Sequence, residues 1–182
     1  MPHTLETERL ILRPFTEADV EPAFRIFEGR PDGYRFDPGH ARMREQRVTL
    51  VRRHIADNQK NDEGALAVTL KESGELIGQA GLQLYILPCP PYATPEVELY
   101  YELGRNFWGQ GYAEEGCRAL IDFAFNTLHL LRLVTIAQPD NTHSVRLLKR
   151  LGFSIASGPA EWAPEIMAVL VNPDIMQVES AP

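Results

Sequence analysis

The sequence predicts one α/β (α+β) domain spanning residues 1–182, on three observations. Short β-type runs are interleaved with segments whose apolar residues recur every three to four positions. A glycine pair, Gly109 and Gly111, stands between a strand-like run and a helix-like one, where backbone can approach a ligand closely. The third is size and composition: 182 residues, 44% hydrophobic and 24% charged, suffice to bury a single core.

Taken in order, Arg9 to Arg13 is a strand that Pro14 stops, since proline lacks the N–H a ladder needs. Thr16 with Asp19 caps a helix whose stripe is Val20, Phe24 and Phe27. Gly29 to His40 mixes turn formers with aromatics and reads as a functional loop. Met43, Val48, Val51 and Ile55 form a weaker helical stripe beside an arginine-rich solvated face. Ala65 to Leu70 and Leu76 to Ile86 make a hairpin around the polar turn Lys71 to Glu75. Leu87 to Pro95 holds four prolines and is expected to be a stiff connection outside any regular ladder.

Glu96 to Leu103 alternates, which places Glu96, Glu98, Tyr100 and Glu102 on an acidic face and Val97, Leu99, Tyr101 and Leu103 on a buried one. A helix from about Ala113 aligns Cys117, Leu120, Ile121, Ala124 and Leu128, which makes Cys117 a core residue rather than a nucleophile. Leu131 to Ala137 is a strand. Asn141 caps a helix that runs through Leu151 and stops at Gly152, and short β runs near Phe153 to Ala156 and Ile166 to Val171 close the chain. No internal repeat is evident.

Eighteen basic against 25 acidic side chains give a net charge of -7, which argues against a nucleic-acid-gripping surface and suits a cationic or amine partner. Two cysteines, Cys89 and Cys117, provide no disulfide framework, so the cytoplasm is the expected compartment. The first residues are polar and acidic, unlike a signal peptide, and no run approaches the ~20 apolar residues of a membrane span. The five histidines show no metal-ligand spacing, and no metal is assigned.

The segment Trp108-Gly-Gln-Gly-Tyr-Ala113 is the informative one. The first turn of a helix offers unpaired N–H groups and partial positive charge, so the turn reads as an anion site, suited to a pyrophosphate. A dinucleotide fingerprint would want a third glycine where this chain has Glu114, and the lysine of a nucleotide-triphosphate loop is missing. By itself the turn reads equally well as a simple strand-to-helix connection.

The Gly-Gln-Gly-Tyr-Ala turn, the helix and strand after it, Asn141-x-x-Ser144 and Lys149-Arg-Leu-Gly-Phe153 together resemble the GNAT superfamily of acetyl-CoA-dependent N-acetyltransferases. The opening Leu5 to Pro14 and the Trp108-Gly-Gln-Gly-Tyr112 variant resemble its RimJ/RimL-like branch, which acetylates N-termini of ribosomal proteins. Against the superfamily pattern Gln/Arg-x-x-Gly-x-Gly/Ala, the match is Gly111 and Ala113, with Trp108 replacing the first residue. The resemblance implies a mixed, mostly antiparallel sheet with helices on both faces, with the cosubstrate entering where two central strands diverge. It implies that the backbone of Tyr101, Glu102 and Leu103 holds the pantetheine arm of acetyl-CoA. The pyrophosphate would lie on the backbone of Gly109, Gln110, Gly111, Tyr112, Ala113 and Glu114, with Asn141 reaching the pantetheine or the reacting centre. A homodimer is one assembly that the branch allows.

The resemblance also implies direct transfer in a ternary complex, in which a neutral amine attacks the thioester and a thiolate leaves. At pH 7 a lysine with pKa ~10.4 pays about 4.6 kcal/mol to be neutral and an α-amine near ~7.8 about 1 kcal/mol, which favours a protein or peptide N-terminus as acceptor. Small-molecule amines such as polyamines or aminoglycosides, and a non-catalytic CoA-binding module, are the alternatives. Glu98 is the candidate base, with Glu96 and Glu102 crowding it, unless these carboxylates form a solvated face or attract the acceptor. Where many superfamily members carry a tyrosine, seven residues after the asparagine, this chain has Leu148. Ser144 is the substitute donor to the leaving sulfur, with helix capping as its other reading. His143 reads as phosphate contact or solvated helix residue, and Trp108 and Trp162 as cleft lining or packing.

Overall fold

The computed structural model describes residues 4–27, 44–61, 65–89, 92–157 and 165–174. The loop expected from Gly29 to His40, and Trp162, lie outside the described residues. The strands are β1 (Leu5–Glu6), β2 (Leu10–Arg13), β3 (Leu66–Leu70), β4 (Leu76–Cys89), β5 (Tyr92–Leu103), β6 (Arg132–Ala137), β7 (Ser154–Ser157) and β8 (Ile166–Val171). The helices are α1 (Val20–Phe27), α2 (Arg44–Asn61), α3 (Tyr112–Asp122) and α4 (Thr142–Arg150). The strands are bonded in the order β1-β2-β3-β4-β5-β6-β8-β7, and helices flank the sheet. β5 and β6 run parallel, while β1–β2, β2–β3, β3–β4, β6–β8 and β7–β8 are antiparallel, so the sheet is mixed as expected. By contacts the chain divides into two compact units, residues 1–83 with 100–119 and residues 84–99 with 120–182.

In the first unit, β2 alternates fully buried Leu10 and Leu12 with half-buried Ile11 and Arg13, and its register sets Leu12 against Val68 of β3. Each such leucine contributes about 1.5–3 kcal/mol by burial. α1 and α2 cover a core of Phe15, Val20, Ala23, Val51, Ala65, Ala67 and Leu76, against which Ile26, Val48, Ile55 and Tyr100 pack. The weak stripe of α2 thus suffices: among its described residues Val51 is fully buried while Val48 and Ile55 are only partly covered, and Met43 lies outside the described residues.

The entry to α1 is fixed by Asp19. Its carboxylate accepts from the Thr16 N–H and hydroxyl, both at 2.8 Å, and takes a two-pronged bond from Arg13 at 2.7 and 2.8 Å. Burial pushes this carboxyl up, but the hydrogen bonds from Arg13 and Thr16 outweigh it and hold the group below its ordinary value. A depressed folded-state pKa means stability present above the unfolded value near ~3.9 and lost as pH falls through the folded value. Asp19→Asn is expected to cost about 2 kcal/mol near neutrality, less than a fully buried pair because Arg13 is partly exposed, and to flatten stability against pH below ~4. Urea melts at pH 7 and pH 3 check this; an equal loss at both would remove the charge-based account.

In the second unit, Leu133 and Val134 of β6 and Ala168 of β8 are buried, in a register that pairs Val134 with Val169. Asn141 caps α4 as expected, its side-chain oxygen accepting from the Ser144 N–H at 3.2 Å. Gly152 closes it at φ +91°, with the Gly152 and Phe153 N–H groups returning to Lys149 and Leu148 carbonyls.

Three expectations are corrected. Leu87 to Pro95 is not excluded from the ladder: β4 continues to Cys89 and β5 begins at Tyr92. Pro88 and Pro95 thus lie within strands, which tolerate proline where a strand is bonded on one side only and every second N–H is unused; Pro90 and Pro91 lie outside the described residues. The acidic face of β5 is not solvated, since Glu96 is buried and Tyr100 packs on the core. Alternation leaves one wet face only where one face of the sheet is uncovered, whereas here helices flank the sheet and Arg132 offsets the charge of Glu96. Leu128, expected in the helical core stripe, is exposed. The chain passes into a π-helical turn over Phe123–Thr127, with the Leu128 N–H reaching Phe123 C=O, and the wider turn rotates the stripe away.

Candidate active site

The glycine turn lies where the sequence places it, in the first unit between β5 and α3. Gly109 and Gly111 have φ of +74° and +85°, the left-handed region that side chains disfavour, so both positions require glycine. A Cβ added at Gly109 would meet nothing within 4 Å, and one at Gly111 only the Arg9 Nη2 at 3.2 Å. A helix leaves the N–H groups of its first turn outside its own ladder, and here the Glu115 N–H reaches back to Gly111 C=O at 3.0 Å.

Two carboxylates in that first turn would compete with a bound anion, and both are drawn aside. Glu114 pairs with Arg118 one turn on, at 2.8 Å. Glu115 receives the Arg9 N–H and Nε, both at 2.7 Å, and the Thr7 hydroxyl at 2.5 Å. Burial pushes Glu115 up, but these donors prevail and hold it below the ordinary carboxylate range. Arg9 also donates to Gln110 C=O at 3.0 Å, and its guanidinium carbon lies 4.6 Å from the centroid of the Tyr112 ring. Sequence reasoning gave Arg9 no part in this turn. It lies about a hundred residues away along the chain, and no local pattern announces such a contact.

Trp108 joins the turn to the end of β5: its indole N–H donates to Leu103 C=O at 2.9 Å. Beyond Leu103, the Gly104 N–H donates to Ile77 C=O at 2.8 Å. Among the predicted pantetheine residues, Glu102 accepts from the buried Gln79 at 2.8 Å, and the same amide reaches the Tyr100 hydroxyl at 2.5 Å. The structure thus brings Tyr101 to Leu103 and Gly109 to Glu114 into one unit and ties them through Trp108.

Glu98, Asn141 and Ser144 belong to the second unit. Glu98 is half-buried and stands opposite Val134, the one registered pair of β5 with β6 among the described residues. Glu96, two residues earlier, is held by Arg132, with Nε at 2.9 Å from Oε2 and Nη2 on Oε1. That guanidinium offsets the charge of Glu96, which therefore adds little to the crowding expected at Glu98. Ser144 sits in the first turn of α4, its N–H donating to the cap residue Asn141. Leu148 is fully buried. Burial pushes the Cys117 thiol far up, consistent with a core residue. Among the described residues there is no group of three or more His, Cys, Asp or Glu that could hold a metal ion, and no helix long and apolar enough to cross a membrane.

Residues 9–154 match the family described as acetyltransferase (GNAT) domain. An uncharacterized N-acetyltransferase of Bacillus licheniformis, p20, is 30% identical over 157 residues, covering 82% of each chain. Among solved structures, an acetyltransferase from Agrobacterium tumefaciens is 30% identical, with a TM-score of 0.73 over 93% of this chain and 94% of that one. A ribosomal-protein-S5-alanine acetyltransferase from Vibrio fischeri shares the fold at 19% identity, with a TM-score of 0.72 over 94% and 97% of the two chains.

Proposed function

The chain belongs to the GNAT acetyltransferase family, and from that premise we propose that it transfers the acetyl group of acetyl-CoA to the α-amine of a protein or peptide N-terminus, as a RimJ/RimL-like enzyme. The observation that carries the cosubstrate assignment is the turn ahead of α3, where two left-handed glycines bare the backbone and both first-turn carboxylates are engaged elsewhere. Such a turn fits a pyrophosphate, which needs close backbone approach and no competing negative charge. The N–H groups from Gly109 to Glu114 are the proposed donors, and Tyr101, Glu102 and Leu103 the proposed pantetheine strand.

Acetyl-CoA supplies the thioester. In the second unit, Glu98 takes the proposed role of base toward the acceptor ammonium, Ser144 that of donor to the leaving sulfur, and Asn141 that of orienting group. The preference for an α-amine rests on the cost of deprotonation, about 1 kcal/mol at pH 7 against about 4.6 for lysine. The Leu5 to Pro14 opening and the Trp108 variant of the turn support the branch. Thiol release from acetyl-CoA with a panel of peptides, lysine analogues, polyamines and aminoglycosides tests the reading. Turnover with small amines alone would overturn the acceptor class. Thermal protection by acetyl-CoA without turnover of any amine would make the chain a binding module.

Gly111→Val probes the anion site directly. A β-branched residue at φ +85° is strained by about 1–2 kcal/mol, and its side chain would project from the backbone a pyrophosphate must touch. The dissociation constant for CoA is expected to rise at least about tenfold, ~1.4 kcal/mol, with the folded state confirmed by circular dichroism. Calorimetry showing unchanged affinity in the folded variant would place the pyrophosphate elsewhere.

A further inference from the structure

We propose that Arg9 is a positioning residue for the anion site: by holding the carbonyl of Gln110 it fixes the peptide plane whose other end is the Gly111 N–H. The proposal rests on the CoA assignment above and goes beyond it, because Arg9 acts through the backbone rather than on the cosubstrate. In a trans peptide the C=O of one residue and the N–H of the next point to opposite sides. With Gln110 C=O drawn onto Arg9 Nη1 at 3.0 Å, the Gly111 N–H is aimed away from Arg9.

That orientation needs a tether. A glycine accepts either sign of φ at little cost, so a peptide leading into Gly111 can rotate and present its carbonyl, an acceptor, where an anion needs a donor. Arg9 suits the task because its own position is fixed at several points. Its N–H donates to Glu115 at 2.7 Å, its C=O accepts from the Lys71 N–H at 2.8 Å, and its guanidinium is forked onto the Glu115 carboxylate, Nε and Nη2 each at 2.7 Å. Thr7 donates to the other oxygen of the same carboxylate, and the Tyr112 ring lies against the guanidinium. Glu115 thereby serves twice: it orients Arg9, and its own charge is neutralised instead of opposing a phosphate. A lysine could supply the charge but neither the fork nor the stacking plane.

The test compares wild type, Arg9→Gln, Arg9→Lys and Glu115→Gln with acetyl-CoA and with S-acetylpantetheine, which lacks the pyrophosphate. For Arg9→Gln the KM for acetyl-CoA and the Kd for CoA should rise about tenfold while kcat falls less than about twofold, the scale of one well-placed hydrogen bond. The KM for S-acetylpantetheine should be unchanged. Arg9→Lys should resemble Arg9→Gln, and Glu115→Gln, which loosens Arg9 without touching the turn, should show a smaller rise of about threefold. In wild-type spectra the Gly111 amide resonance should shift on adding CoA, and in Arg9→Gln the free-state resonance should already be displaced or broadened. Full recovery in Arg9→Lys would mean that Arg9 acts as a point charge. Equal losses with both thioesters would mean general damage to the fold, and unchanged KM in Arg9→Gln would mean no role; each overturns the proposal. Failure of the wild type to bind CoA would instead overturn the CoA assignment itself.

Discussion

Gly78→Ala is expected to destabilise the protein by more than about 3 kcal/mol, beyond the usual range for one added methyl group. A Cβ at Gly78 would collide with Glu102 C=O and lie 2.8 Å from the Cα of Leu103. Both are backbone atoms, so no side-chain rotation relieves the contact. The strand would have to move, against a Gly104 N–H to Ile77 C=O bond of 2.8 Å and the Gln79 contacts to Tyr100 and Glu102. The residues displaced are Glu102 and Leu103, the stretch proposed to hold pantetheine, so CoA affinity should fall along with stability. For a chain of this length the loss corresponds to a drop of about 6–12 °C in Tm. A scanning calorimetry shift below about 3 °C would show that β4 and β5 can separate at this point at little cost.

Gly78 also marks the limit of what the sequence discloses. A glycine in a strand announces a bulge or a close approach but not its partner, and the partner is twenty-four residues on, in another strand. Elements with a strong local signal were legible: Pro14 ending β2, Asn141 and Gly152 bounding α4, and the glycine pair ahead of α3. Each depends on the conformation of one or two residues and needs no knowledge of neighbours. What was not legible depends on tertiary partners. Arg132, at the start of a strand, neutralises Glu96, so a carboxylate that alternation placed on the face opposite the buried one is itself buried. The π-helical turn from Phe123 carries Leu128 off the stripe that a regular period of 3.6 would keep it on. In the candidate site, the turn could be located from the sequence, but the arginine that organises it could not, because Arg9 meets Gln110 and Glu115 only after β2 and α3 are in place.

The same pairing of Glu96 with Arg132 sharpens what Glu98→Gln should do. If Glu98 accepts the proton of the acceptor ammonium, the amide should lower kcat about a hundredfold at pH 7, within the range of a general base, and leave the Kd for CoA unchanged. The deficit should narrow above pH ~8, where an α-amine is already neutral in solution and needs no base. If instead Glu98 only attracts a cationic acceptor, the KM for the peptide should rise while kcat stays, and added salt should weaken wild-type binding toward that of the variant. Glu96 is the control, since its carboxylate is bound to Arg132 and has no free proton-accepting role in this scheme. Glu96→Gln should therefore cost stability, through a partly exposed guanidinium left without its charge partner, and spare the pH dependence of turnover. Profiles of kcat from pH 6 to 9 for the two variants distinguish these outcomes. An unchanged kcat in Glu98→Gln across that range would remove Glu98 from the chemistry and leave proton removal to water or to another side chain of β5.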